Sequence, residues 1–257
     1  MAITNPYHRI WRPMANYSWT QKMWDNLNGP VKTLDFLYSN DFANHDEMSS
    51  LLNTARLIIR DLYELFNYVE PNDVNLNTYS HRLYELLLRT STEFEANCKG
   101  ILDSNGYVRP GGGNLNIMDY FKIENAAHLS GYEVTFERWP NHVFKPFDAW
   151  NAGTFAPLPW YQGYNHVKHN RFANFPEANL NNVMNAVAAL LCILHAQIGE
   201  NMDSVCFEGI ATQQSDQSKI VNGTFTITAP TFPEAETYDF VWDNSKGVRA
   251  AVQSYAF

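Results

Sequence analysis

The densest group of chemically reactive side chains in this sequence lies in residues 160–172, which read WYQGYNHVKHNRF. On a helix, residues spaced by three and four positions share one face. Four side chains meet that spacing and form one stripe: Asn165, Lys168, His169 and Phe172. Arg171 lies close beside Lys168, so one surface presents an amide, two cations and an imidazole.

These residue types suit acid–base chemistry on a phosphodiester. His169 can give or take a proton near neutral pH, because imidazole titrates there. Lys168 and Arg171 can hold the phosphate and stabilise the charge that develops on it. The predicted catalytic set is therefore His169, Lys168, Arg171 and Asn165, which would cleave RNA through the 2′-hydroxyl with no metal and no cofactor.

A second polar stripe follows the helix predicted for residues 79–102. Its charges alternate in sign along one line: Arg82, Glu85, Arg89 and Glu93. In the first interpretation this stripe is an exposed, ion-paired face, which contributes little stability. In the second it turns inward, and Glu93 and Arg89, together with Tyr164, support residues 168–171 as a half-buried network.

Composition restricts the class of protein. The chain has 257 residues, of which 45% are hydrophobic, and this is enough for a buried core. A net charge of -9 opposes broad binding to duplex nucleic acid, so any contact with RNA must be local. The 3 cysteines are widely spaced and form neither a disulfide framework nor a CxxC metal pattern, which favours a reducing compartment.

The N-terminus and the apolar runs predict a cytoplasmic protein without membrane contact. Residues 1–14 lack the apolar core of a signal peptide, and the longest apolar run, residues 186–194, is too short to span a bilayer. The sequence contains no GxSxG elbow, HExxH motif or phosphate loop. Hydrolase, zinc-protease and kinase functions therefore have no motif to support them.

Hydrophobic periodicity predicts four helices in the body of the chain: residues 44–68, 79–102, 160–172 and 176–198, the last with Asn174 as its N-cap. Alternating residues predict a β-hairpin in 132–150, with a turn at Pro140 and Asn141, and a small C-terminal sheet near 220–243 that is placed to pair with it. The predicted fold class is mainly α: a helical bundle with inserted and C-terminal β-hairpins.

One domain, residues 1–257, is the preferred organisation, and two domains split near Gly111 are the alternative. Five segments are assigned within it: an aromatic N-terminal arm (1–43, with short helices at 19–27 and 31–38), a helical hairpin (44–105), a loop and β-hairpin insertion (106–157), the polar-cluster helix and core helix (158–200), and a C-terminal β segment (201–257).

The helix HRLYELLLRTSTEFEANCKGIL, followed by WYQGYNHVKHNRF and a long apolar helix, resembles proteins of the HEPN type. These are α-helical bundles often found in bacterial toxin and anti-phage systems. The resemblance covers residues 44–105 and 158–200, and it implies a metal-independent ribonuclease that works as a homodimer. Many members carry an arginine and a histidine separated by four to six intervening residues. This chain lacks that arrangement, and its His169 and Arg171 run in the opposite order.

The sequence leaves two functions open. One is an RNA-binding or ribonuclease-like protein of a bacterial defence or toxin system. The other is a non-catalytic interaction module, in which the same polar cluster is a structural network and the aromatic arm or a β-edge meets a partner protein. The net charge favours the second function, and the density of the cluster favours the first.

Overall fold

The computed structural model of the chain describes residues 2–15, 45–199, 219–221, 223–239 and 251–257. In these ranges the protein is mainly α-helical with a small antiparallel sheet, which confirms the predicted fold class. The predicted helices at 19–27 and 31–38 lie outside the described residues.

Seven α-helices lie in the described ranges: α1 (His45–Leu65), α2 (His81–Ser104), α3 (Ile117–Tyr120), α4 (Ile123–Ala127), α5 (Pro159–His169), α6 (Arg171–Asn174) and α7 (Leu180–Ile198). α1 and α2 form the predicted helical hairpin, joined by a polar loop with one 3-10 turn at Asp73–Asn75. Ser80 caps α2, because its side chain accepts a hydrogen bond from the Leu83 N–H.

Two predicted helix boundaries were wrong, and asparagine side chains explain both. α5 ends at His169 instead of Phe172, because Asn170 starts a new turn by accepting a hydrogen bond from the Ala173 N–H. α7 begins at Leu180, where Asn179 is the N-cap. Asn174, the predicted cap, instead donates its amide to the carbonyl of His166 near the end of α5.

The sheet has four strands: β1 (Glu133–Phe136), β2 (Trp139–Phe144), β3 (Lys219–Val221) and β4 (Phe225–Thr228), in the spatial order β2-β1-β4-β3. β1 pairs antiparallel with both β2 and β4, so the C-terminal segment joins the inserted hairpin as expected. The hairpin turn lies at Glu137 and Arg138 and not at Pro140 and Asn141. Pro140 lies inside β2, an edge strand, where a missing N–H costs no ladder bond.

The hydrophobic core is built around α7, which is buried on almost every side. Its widest contact is with α2, and α5, α1 and the strands β1 and β2 cover the rest. Buried residues of the helices and the sheet belong to one continuous cluster that includes Leu191, Val134 and Phe225. By length and composition alone α7 could cross a membrane, but 89% of it is buried inside the fold, as in the core helix of a globular bundle.

Residues 2–15 of the predicted N-terminal arm pack along the end of α7. The Trp11 N–H donates to the carbonyl of Ala196, and the Trp11 ring lies edge-on to His195, with 4.7 Å between ring centroids. Arg9, which is buried, donates from Nε to Gln197 at 2.9 Å. Tyr238 bridges to Ile3 and Met14, while residues 240–243 of the predicted C-terminal sheet lie outside the described residues.

His195 is a fully buried core histidine. The Tyr132 hydroxyl lies 2.9 Å from Nδ1, and among the described residues Nε2 has no hydrogen-bond partner. Burial lowers the pKa of His195 from 6.5 to about 3, because a charged imidazolium would lose its hydration inside the core. The ring is therefore neutral in the folded protein at physiological pH.

This burial predicts an acid-sensitive stability. Between pH 6.5 and about 3, His195 is protonated in the unfolded chain but neutral in the folded chain. The free energy of unfolding therefore falls as the pH is lowered through that window. We expect His195 to account for a loss of about 2 kcal/mol between pH 7 and pH 5. Urea unfolding at both pH values measures it. The His195→Gln variant should be less stable at pH 7 but lose this part of the pH dependence, and an unchanged dependence would contradict the assignment.

Candidate functional site

α5 has one buried face and one exposed face, and this division determines which polar groups reach solvent. Trp160, Tyr161, Tyr164 and Val167 are buried against α2 and α7. Trp160 is fixed further by a hydrogen bond from its indole N–H to the carbonyl of Pro146. His166 and His169 lie on the other side, and Lys168 lies beside Tyr164 at the edge of the buried face. All three side chains are exposed.

His166 and Glu177 form an ion-pair-like contact on the surface. The Nδ1 atom of His166 lies 2.9 Å from both carboxylate oxygens of Glu177. A carboxylate that accepts from Nδ1–H fixes the tautomer and leaves Nε2 as the basic nitrogen. Nε2 has no partner among the described residues, and the His166 side chain is 54% exposed. This imidazole is therefore oriented and accessible.

Lys168 is held by the phenol of Tyr164, whose hydroxyl oxygen lies 2.7 Å from Nζ. This hydrogen bond raises the pKa of Lys168, and the nearby carboxylate of Glu95 adds to the effect. Glu95 in turn accepts a hydrogen bond of 2.7 Å from the hydroxyl of Tyr161. Lys168 consequently remains charged.

Arg171 extends the cationic surface toward the start of α2. Its guanidinium lies 5.4 Å from the ring centroid of Tyr84, a cation–π contact. The ring of Phe175 packs beside Tyr84 and contacts Tyr79 and His81 as well. Arg171 therefore borders an aromatic cluster at one end of the bundle.

Phe172 projects from α6 with 99% of its surface exposed, more than any other large hydrophobic residue in the described ranges. It follows Arg171 directly and lies beyond the break at Asn170. The predicted continuous stripe from Asn165 to Phe172 is therefore interrupted: Asn165 is half-buried on α5, and Phe172 belongs to α6.

We use the name basic surface for residues 165–172, which contain four basic side chains and no carboxylate.

The predicted supporting network was only partly located correctly. Tyr164 contacts Lys168 as described, but Arg89 pairs with Asp61 of α1 at 2.5 Å. Glu93 is half-buried near Arg89, and its pKa is raised by burial. Successive helical residues are rotated by about 100°, so Glu93 and Glu95 lie on opposite sides of α2. The carboxylate that faces α5 is Glu95.

Sequence reasoning also missed the importance of His166. The i, i+3, i+4 pattern selected His169, whose side chain is exposed, whereas His166 bonds to a carboxylate eleven residues later, on the 3-10 turn Phe175–Glu177. A histidine and a glutamate with ten residues between them form no recognisable sequence motif. The two meet here only because the chain reverses between them. In the sequence, only Asn170 and Asn174 indicated a reversal, because asparagine often lies at helix ends. Both residues terminate helices here.

Comparison of the chain with family models, with curated proteins and with solved structures finds no match. In the described part of the chain, no three His, Cys, Asp or Glu side chains are grouped to hold a metal ion.

Gly163 allows Glu177 to approach α5. A Cβ atom at this position would overlap the side-chain amide of Asn182 and lie 3.5 Å from Glu177 Oε2. The same amide of Asn182 donates to the backbone carbonyl of Glu177 at 2.8 Å, so its displacement would disturb the turn that carries this carboxylate.

We expect Gly163→Ala to destabilise the protein by about 1–3 kcal/mol, because overpacking outweighs the gain in helix propensity. The exposed neighbour Gln162 provides the matched control, since Gln162→Ala adds no contact in the core. Denaturant unfolding of the two variants decides the sign. A Gly163→Ala protein that is more stable than wild type would show that this close approach is not a constraint.

Proposed function

We propose that the basic surface binds single-stranded RNA. The observation that carries the proposal is the exposure of Lys168, His169, Arg171 and Phe172 together at one end of α5 and α6. Cations supply contacts to the phosphates, and an exposed ring supplies a stacking partner for an unpaired base. The proposal includes the biological setting that the HEPN resemblance implies, which is a cytoplasmic toxin or anti-phage system.

The charge distribution supports a local binding site. The chain carries a net charge of -9, which repels nucleic acid at long range. Lys168 and Arg171 lie in a segment without acidic residues, and the nearest carboxylates, Glu177 and Glu95, are bonded to His166 and Tyr161. A few phosphates can be neutralised here, whereas a long duplex would meet the acidic remainder of the protein.

The exposed ring favours single strands over duplex. A fully exposed phenylalanine gains little from packing on a sugar–phosphate backbone but can stack on a base that is unpaired. The half-exposed ring of Tyr79, in the cluster around Phe175, offers a further aromatic surface next to Arg171. The proposal therefore predicts weak sequence preference and strong dependence on salt.

Fluorescence anisotropy with a labelled single-stranded RNA tests the proposal. We expect Arg171→Ala to weaken binding about fivefold and to reduce the slope of log K against log salt by about 0.7. Phe172→Ala should weaken binding about tenfold and leave the salt slope unchanged. Arg60→Ala, which removes an exposed arginine from α1, is the control and should bind as wild type does. Equal affinities for all four proteins would reject the basic surface as the site.

Cleavage of the bound RNA is a second candidate function, and the contact between His166 and Glu177 favours it. Nε2 of His166 would remove the proton from a 2′-hydroxyl, whose oxygen then attacks the adjacent phosphorus. The P–O5′ bond breaks, and His169, one helical turn away, would donate the proton to the leaving 5′-oxygen. The products are a 2′,3′-cyclic phosphate and a 5′-hydroxyl.

The cleavage test uses unstructured RNA in the presence of a chelator. His166→Ala and His169→Ala should each reduce the cleavage rate by at least about a hundredfold, because one proton transfer is lost, while Glu177→Gln should reduce it less. His142→Ala is the matched control: His142 Nδ1 lies 2.9 Å from Asp73 in a similar contact, and the rings it packs against are Trp139 and Phe144 of β2.

Three results separate the alternatives. Chelator-resistant cleavage that depends on His166 supports the ribonuclease. RNA binding without cleavage supports a binding protein. If RNA neither binds nor is cleaved, and His166→Ala lowers the thermal stability, the cluster is a structural network, as in the interaction module that the sequence left open.

A further inference from the structure

A cleft lies between α1 and α2 at the end where the two helices are joined, on the side of α2 that faces away from the basic surface. Its volume is about 530 Å³, within the range of pockets that bind small molecules. Ten residues line it: Asp61, Glu64, Leu65, Tyr68, Val69, Ser80, Arg82, Glu85, Leu86 and Arg89.

The interior of the cleft is apolar and its rim is charged. Leu65 and Leu86 are buried and form part of the floor. Tyr68 lies along one side with 83% of its surface exposed, so its ring is covered by little else in the described structure. An apolar floor with an exposed aromatic wall suits a ligand that has a flat or aliphatic body.

The charges of the rim are mostly paired with one another. Arg82 bonds to Glu85 at 3.0 Å, and Arg89 bonds to Asp61 at 2.5 Å. The hydrogen bond that Arg82 donates to Glu85 raises the pKa of Arg82, and the nearby charges of Glu64 and Asp61 act in the same direction. Both guanidinium groups are therefore already neutralised by carboxylates of the protein.

Glu64 is the exception, because its exposed carboxylate has no hydrogen bond or ion pair with another described residue. Three carboxylates against two guanidinium groups leave the lining with an excess of negative charge. The final turn of α1, to which Glu64 belongs, also contains no basic residue to complement the negative end of the helix. The N-terminus of α2 on the other side of the cleft is occupied by its own cap, Ser80.

We propose that this cleft binds an organic cation: an amine, amidine or guanidine attached to an apolar or aromatic body. The cationic group pairs with Glu64 and lies against the ring of Tyr68, and the apolar body covers Leu65 and Leu86. This site is independent of RNA binding at the basic surface, since Tyr84 and Glu95, which face α5, lie on the opposite side of α2.

Three probes of one shape test the proposal by protein-observed NMR on the full chain. Benzamidine carries a positive charge, benzoate a negative charge, and benzamide none. Benzamidine should shift the amide resonances of Leu65, Tyr68 and Leu86 in a saturable manner. Benzoate and benzamide should bind at least about fivefold more weakly, because neither pairs with Glu64.

Two variants locate the contacts, and a third serves as the control. Glu64→Gln should weaken benzamidine binding about fivefold and remove most of its salt dependence. Tyr68→Ala should weaken it by a similar factor without changing the salt dependence, and neither change removes a buried contact. Glu70→Gln removes an exposed carboxylate outside the cleft and should have no effect. The proposal is overturned if benzoate or benzamide binds as tightly, if Glu64→Gln behaves as Glu70→Gln does, or if the cleft resonances do not respond.

Discussion

Because α7 is apolar on all sides, other elements of the fold must cover every side of it. This requirement restricts how each neighbouring element packs. Each apolar group that leaves water contributes about 0.8 kcal/mol per CH₂, so leaving one side of α7 uncovered would forfeit several side chains at once. α1 and α2 each pack one apolar face on α7, and α5 packs its aromatic face on it. The strands β1 and β2 cover the remaining side. The orientation of each neighbour, and hence the side that it shows to solvent, follows from this burial.

Polar groups near the end of α7 restrict the fold further. Gln197 is fully buried and donates to Asn97 of α2 at 2.8 Å, while its carbonyl oxygen accepts from Arg9 of the N-terminal arm. A buried amide without partners would cost about 1–3 kcal/mol. The arm thus provides the hydrogen bonds that the end of the core helix requires, and its Trp11 covers His195.

Burial of α7 also separates two chemically different surfaces. α2 contacts α5 through Tyr84 and Glu95 on one side, and its other side forms the acidic cleft with α1. α5 turns its tyrosines inward and leaves Lys168, His169 and the contact between His166 and Glu177 outside. A basic surface and an acidic cleft can coexist on an acidic protein because they lie on opposite sides of α2, about one helix diameter apart, where physiological salt screens exposed charges.

The sequence by itself located the main helices and the hairpin to within a few residues, because hydrophobic periodicity reports which side of an element is buried. It indicated a C-terminal strand that was available to pair with the hairpin, without setting the register. It also located the polar segment at 165–171. Three features were decided only by tertiary structure. Glu95 rather than Glu93 faces α5, since a rotation of α2 is set by its packing on α7 and not by its own charges. His166 meets Glu177 because the chain reverses between them, where Asn170 and Asn174 end successive helices. The cleft depends on how residues 61–69 and 80–89 are placed against each other once the two helices pack. Periodicity identifies the buried side of each helix, but contacts between residues far apart in the chain depend on how the helices are rotated and spaced once they pack.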